Sequence, residues 1–105
     1  MSNEILIERA LRKQEIFRNL PKYLRTIKVT VQKLDPEAEV YLFGSVAEEK
    51  NNYSSDIDIL VITKLKAEII HSELWRAEIK ETFEIHIETK QNAYFYKTRV
   101  KTIRI

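Results

Sequence analysis

Gly44-Ser45 and Asp56-Ile57-Asp58 are separated by ten residues, and each lies against a run of aliphatic and aromatic side chains. Asp56 and Asp58 are two apart where a strand-like run opens, so their side chains leave the same face. Two carboxylates about 5 Å apart repel by roughly 3 kcal/mol at an effective dielectric near 20. A cation between them turns that repulsion into binding energy. All-oxygen donors suit Mg²⁺, which usually takes few protein carboxylates and leaves its other positions to substrate phosphates. A glycine directly after a strand lets the backbone approach a ligand closely, and the adjoining serine hydroxyl with nearby N–H groups suits a phosphate. An Asp-x-Asp pair alone is common in solvated turns. The joint pattern is more specific: a strand, Gly44-Ser45, a ten-residue spacer, then Asp56 and Asp58 opening a second aliphatic strand.

The elements that must position these groups follow from periodicity. From Glu4 to Leu20, Ile7, Ala10, Leu11, Phe17 and Leu20 form one helical stripe, with Arg9, Arg12, Lys13 and Glu15 between them. Asn19 reads as a cap and Pro21 as the first turn of a second helix. Its stripe is Leu20, Leu24, Ile27, Val31 and Leu34, and Asp35-Pro36 ends it. Val40 to Phe43 reads as a strand and residues 46–55 as a polar loop. Ile57 to Thr63 reads as a strand covered on both faces. Lys66 to Lys80 returns to helical spacing, with Ile69, Ile70, Leu74, Trp75 and Ala77 inward. Phe83 to Glu88 alternates strictly, placing Phe83, Ile85 and Ile87 on one face and Glu84, His86 and Glu88 on the other. A short helix and an extended end fill the last seventeen residues, which carry Tyr94-Phe95-Tyr96 and a basic tail. The expected fold is α+β: a small mixed sheet of about three to four strands flanked by helices.

Composition bounds the function. At 105 residues the chain has room for one core, so residues 1–105 read as a single domain. Eighteen basic against 16 acidic residues give a net charge of +2, too little for a strongly electrostatic nucleic-acid binder. No cysteine means no disulfide framework, thiolate metal site or cysteine nucleophile. The longest aliphatic run, Ile59 to Ile62, falls far short of the roughly 20 residues that cross a bilayer. The acidic start MSNEILIERA does not read as a signal peptide, so a cytoplasmic location is expected. One glycine in the whole chain implies short loops and a glycine placed where no other residue fits. With low Gly, no Cys and many Lys, Glu and Ile, the composition resembles that of a thermophile protein.

The segment GSVAEEKNNYSSDIDILV resembles the motif of the minimal nucleotidyltransferases, within the DNA polymerase β-like nucleotidyltransferase superfamily. The resemblance covers residues 40–62 strongly and extends loosely to the strand at 83–88. It implies that Asp56 and Asp58 bind two Mg²⁺ ions carrying ATP, and that Gly44 and Ser45 contact the triphosphate. It also implies a third carboxylate on a neighbouring strand, which completes the metal site and helps deprotonate the attacking hydroxyl. Glu84, His86 and Glu88 share the relevant face. Glu84 is nearest the start of its strand, as the Asp pair is in theirs, and is the preferred assignment. His71, early in a charged helix, reads as surface. Relatives often follow Gly-Ser with a small residue, a basic residue and a glycine; here Val46-Ala47-Glu48-Glu49-Lys50 follows. Acids beside a triphosphate are unhelpful, and Lys50 is the nearby cation.

The resemblance further implies an enzyme that moves AMP from ATP to a hydroxyl, most plausibly of tyrosine, on a helical HEPN-family toxin, so acting as its antitoxin. Relatives that act on nucleic acid or antibiotics carry further domains to grip them, so the acceptor is expected from another protein chain in a hetero- or homo-oligomer. Tyr94, Phe95, Tyr96, Lys97, Arg99 and Lys101 could form that contact or pack as the last helix. The competing reading is a catalytically weak or inactive binding module that keeps the fold, has ATP binding weakened by Glu48-Glu49, and neutralises its partner by covering it.

Overall fold

The computed structural model describes residues 2–50 and 55–105. Its elements run α1 (Ser2–Arg18), α2 (Leu20–Leu34), β1 (Glu39–Phe43), α3 (Gly44–Ala47), β2 (Ile57–Ile62), α4 (Ala67–Arg76), β3 (Phe83–Glu88), α5 (Lys90–Arg99) and β4 (Thr102–Arg104). The sheet order is β3-β2-β1-β4. β2 lies parallel to β3 and antiparallel to β1, and β1 is antiparallel to β4. The expected mixed sheet flanked by helices is therefore the fold, with the short β4 as its fourth strand.

Alternation in the strands builds two cores. Val40 and Leu42 of β1, Ile57, Ile59 and Val61 of β2, and Phe83 of β3 face α2 and α4, where they meet Ile27, Val31, Ile70 and Leu74. Tyr41, Phe43, Leu60 and Ile62 point to the opposite face and meet Ala93 and Tyr96 of α5. β2 is thus covered on both faces, as its unbroken aliphatic run requires. Asp35 caps α2 in an extended conformation ahead of Pro36. Thr63, at the end of β2, donates a hydrogen bond to its carboxylate. That bond, with the Glu37 amide, holds the Asp35 carboxyl below its ordinary value.

Four expectations are corrected. Residues 44–47 form the short helix α3, so the segment expected to loop from 46 begins helically; residues 51–54 of that loop lie outside the described residues. As expected, α1 ends at Arg18 and α2 starts afresh at Leu20 as a second helix. Asn19 does not cap α2 with its side chain, which instead bonds back to Glu15 of α1. The α1 stripe faces solvent over its first half: Ile7 and Leu11 are exposed, and burial starts at Ile16. An apolar stripe records only that burial is favourable, and it does not guarantee an apolar surface to bury against.

The fourth concerns α4, which stops at Arg76, short of Lys80, with Trp75 and Ile69 exposed. Glu78 turns into the left-handed region at φ 65, and the Ile79 amide closes the helix on the Leu74 carbonyl. That conformation usually falls to glycine. Here Glu49, Glu78 and Thr82 all take positive φ, while the only glycine sits elsewhere.

Candidate active site

Gly44 follows β1 directly at φ 77. A Cβ built there would overlap Oδ2 of Asp58, on the adjacent strand. The chain's only glycine is therefore fixed twice, by backbone conformation and by the carboxylate beside it. Gly44→Ala is expected to destabilise the fold by about 1–3 kcal/mol and to displace Asp58. Thermal unfolding with and without divalent cation checks both effects.

Sheet register assembles the rest. Asp58 pairs with Phe43 of β1 on one side and with Glu84 of β3 on the other, so three side chains line up across the start of β2. Leu60 is opposite His86, and Ile62 opposite Glu88. Glu88 therefore lies four residues further along, about 13 Å from the level of Asp58 at strand rise. It accepts a long 3.4 Å bond from the Tyr96 hydroxyl. α5 covers this far end of the sheet face, and its Tyr96 reaches back to Phe43 and His86.

The groups that converge are Asp58, Glu84 and His86, each offering one donor atom, with all three atoms within 4.8 Å of one another. His86 Nε2 lies 3.5 Å from Asp58 Oδ1 and 3.6 Å from Glu84 Oε1. Burial, and then the Glu84 charge, push the Asp58 carboxyl above its ordinary value; His86 works in the opposite direction. A carboxylate so placed is one that an added cation stabilises in its charged form. The site therefore fits a divalent cation on two observations: two acids paired in register with a third donor atom beside them, and a missing side chain at Gly44 that leaves room for the Asp58 carboxylate.

Asp56 stands apart from this trio. It precedes β2, is 58% exposed in its side chain, and pairs with Lys13 of α1 at 3.7 Å. A pair this exposed is worth about 0–1 kcal/mol, so Asp56 is readily released to another cation. Ser45 is half-buried in α3, next to Gly44. Lys50 pairs with Glu48 at 3.8 Å, and Glu48 and Glu49 are exposed. His71 lies on the surface, as expected.

Two features escaped the sequence reading. In the sequence nothing sets His86 apart from Glu84 and Glu88 on its face; in the structure its ring packs on Phe43 and its nitrogen meets both acids. Its place on the same strand face as Glu84 was the signal available. Lys13 carried no signal at all, because its contact depends on how α1 crosses the sheet end. In the aromatic segment, Ala93 is buried and Tyr96 half-buried, whereas Tyr94 and Phe95 project outward. The packing role expected for this stretch is thus present on one side of α5, and Tyr94 and Phe95 stand exposed on the other.

The match to known families follows this geometry. The model of the nucleotidyltransferase domain family matches residues 24–104, and the chain belongs to that family. A crystal structure described as a "putative nucleotidyltransferase" superposes with a TM-score of 0.64 at 27% identity, over 77% of this chain and 95% of that one. Another with the same description, from Sulfolobus solfataricus, reaches a TM-score of 0.49 at 23% identity over 91% of this chain and 85% of its own, a likeness too loose to bear on the site. No curated protein matches the chain in sequence. The family match begins within α2, so Lys13 reaches Asp56 from outside the matched span. None of the described helices is long and apolar enough to cross a membrane.

Proposed function

We propose that the domain transfers AMP from ATP to a protein hydroxyl, with Asp56, Asp58 and Glu84 as the acidic centre and Gly44 and Ser45 on the triphosphate. The observation that carries this reading is the in-register pair Asp58–Glu84 facing the Gly44 turn, in a chain of the nucleotidyltransferase family. The acceptor oxygen forms a bond to the α-phosphorus while the bond to the β-phosphate oxygen breaks in line. Pyrophosphate leaves, and the hydroxyl proton passes to Glu84, which is 58% exposed in its side chain and open to an incoming acceptor. Two Mg²⁺ ions, when bound, supply charge that stabilises the attacking and leaving oxygens. Asp58 holds its place through Gly44 and the sheet register. Asp56, held among the described residues only by its exposed pair with Lys13, would be free to hold a substrate-borne cation.

The acceptor we assign is a tyrosine of a helical HEPN-family toxin, with this domain as its antitoxin. Beyond the family resemblance, outward-facing Tyr94 and Phe95 on α5, with Arg99 stacked 4.9 Å from the Phe95 ring, support a protein-binding surface. The isolated domain is expected to turn over little ATP. With the partner encoded beside it, ATP and Mg²⁺, intact mass spectrometry is expected to show one or more AMP units added to the partner. Efficient modification of RNA or of a small drug by the domain alone would contradict this.

A second reading has its own observation. Glu48 and Glu49 follow the Gly-Ser turn as exposed acids, and Lys50 is engaged by Glu48. On that reading the domain covers its partner without chemistry. A tight complex in which neither chain gains mass would decide for it.

A further inference from the structure

His86 is held more firmly than a surface strand residue needs to be. Its ring stands edge-on to Phe43 of β1, 5.0 Å between centroids at 68°, and tilted against Tyr96 of α5 at 6.1 Å. These contacts fix the imidazole plane and direct Nε2 toward the two acids. The atom is enclosed and makes no hydrogen bond among the described residues. A buried nitrogen that comes near two acids without a hydrogen bond to either calls for an explanation.

The distances supply one. Donor atoms on adjacent corners around an ion with bonds of about 2.1 Å lie about 3.0 Å apart in octahedral and about 3.4 Å apart in tetrahedral geometry. Nε2 lies 3.5 Å from Asp58 Oδ1 and 3.6 Å from Glu84 Oε1, close to that spacing and long for hydrogen bonds. The geometry points to His86 Nε2 as a metal ligand beside Asp58 and Glu84, making this cation position selective for a divalent transition metal over Mg²⁺. Oxygen donors alone suit Mg²⁺, whereas imidazole nitrogen favours softer ions, and Mn²⁺ accepts both donor types. This deepens and rests on the nucleotidyl-transfer reading: the other cation position, at Asp56, keeps oxygen donors only. The competing account makes His86 a protonated clamp between two carboxylates, with no metal bond.

The test uses the full chain and Mn²⁺ alone, followed by electron paramagnetic resonance. Spin-echo modulation from a directly bound nitrogen is expected in the wild-type complex and is expected to vanish in His86→Phe, which keeps the packing against Phe43 and Tyr96. Mn²⁺ affinity is expected to fall about tenfold or more in His86→Phe, with Mg²⁺ affinity changed less than about threefold. His86→Gln provides the same comparison if the Phe variant fails to fold. Mn²⁺ bound without nitrogen modulation, or held equally well by the folded variants, would overturn the assignment and leave nucleotidyl transfer standing. Absence of Mn²⁺ binding to the wild type at millimolar concentration would overturn both.

Discussion

Asp58→Asn is expected to abolish nucleotidyl transfer while leaving the fold intact, and to make the metal-free domain slightly more stable at neutral pH. The first effect follows from position: Asp58 is the central acid, between Phe43 and Glu84 across the sheet. The second follows from charge. Burial and the neighbouring Glu84 raise the folded-state Asp58 pKa above its ordinary 3.8, so the ionised group burdens the fold. For a raised acid, the favourable contribution is complete below the unfolded value and is lost as pH rises through the folded one. The stability advantage of the variant should therefore be present at pH 7 and vanish as pH falls toward 3.8 and below. Urea melts at several pH values, without metal, measure this. A variant that unfolds, or one that keeps full activity, would contradict the assignment.

Glu84→Gln is expected to cost about 10² to 10⁴ in rate, and Glu88→Gln little. Both acids lie on one face of β3, and their types do not separate them. The register does, placing Glu84 opposite Asp58 and Glu88 opposite Ile62, at the end covered by α5. Gln preserves shape at either position, so a loss at Glu84 reports its charge or basicity. Equal, small losses at both would show that the face is merely solvated.

Much of this arrangement was legible in the sequence because it rests on local regularities. Period-two alternation gave β3 its two faces, and the stripe from Leu20 to Leu34 gave α2 its buried side. The solitary glycine pointed to a position under special constraint, and Gly44 against Asp58 is that position. What could not be read depends on contacts distant in sequence. Lys13 meets Asp56 across 43 positions only because α1 passes the open end of the sheet. His86 became a member of the acidic cluster once parallel pairing of β2 with β3 brought it beside Asp58, while Phe43 and Tyr96 oriented its ring. The early end of α4 depends on Glu78 accepting a left-handed conformation, for which a glutamate gives no warning.

The central claim, that the Gly44–Asp58–Glu84 end of the sheet is a nucleotide site, is tested most directly by thermal unfolding with ATP and MgCl₂. At a ligand excess of about 100 times Kd, binding stabilises the folded state by about 2.7 kcal/mol, a rise of several degrees for a domain of this size. The account predicts that rise for the wild-type domain and its loss in Asp58→Asn, each measured against the same protein without ligand. No rise in the wild type at millimolar MgATP, or an equal rise in the variant, would contradict it.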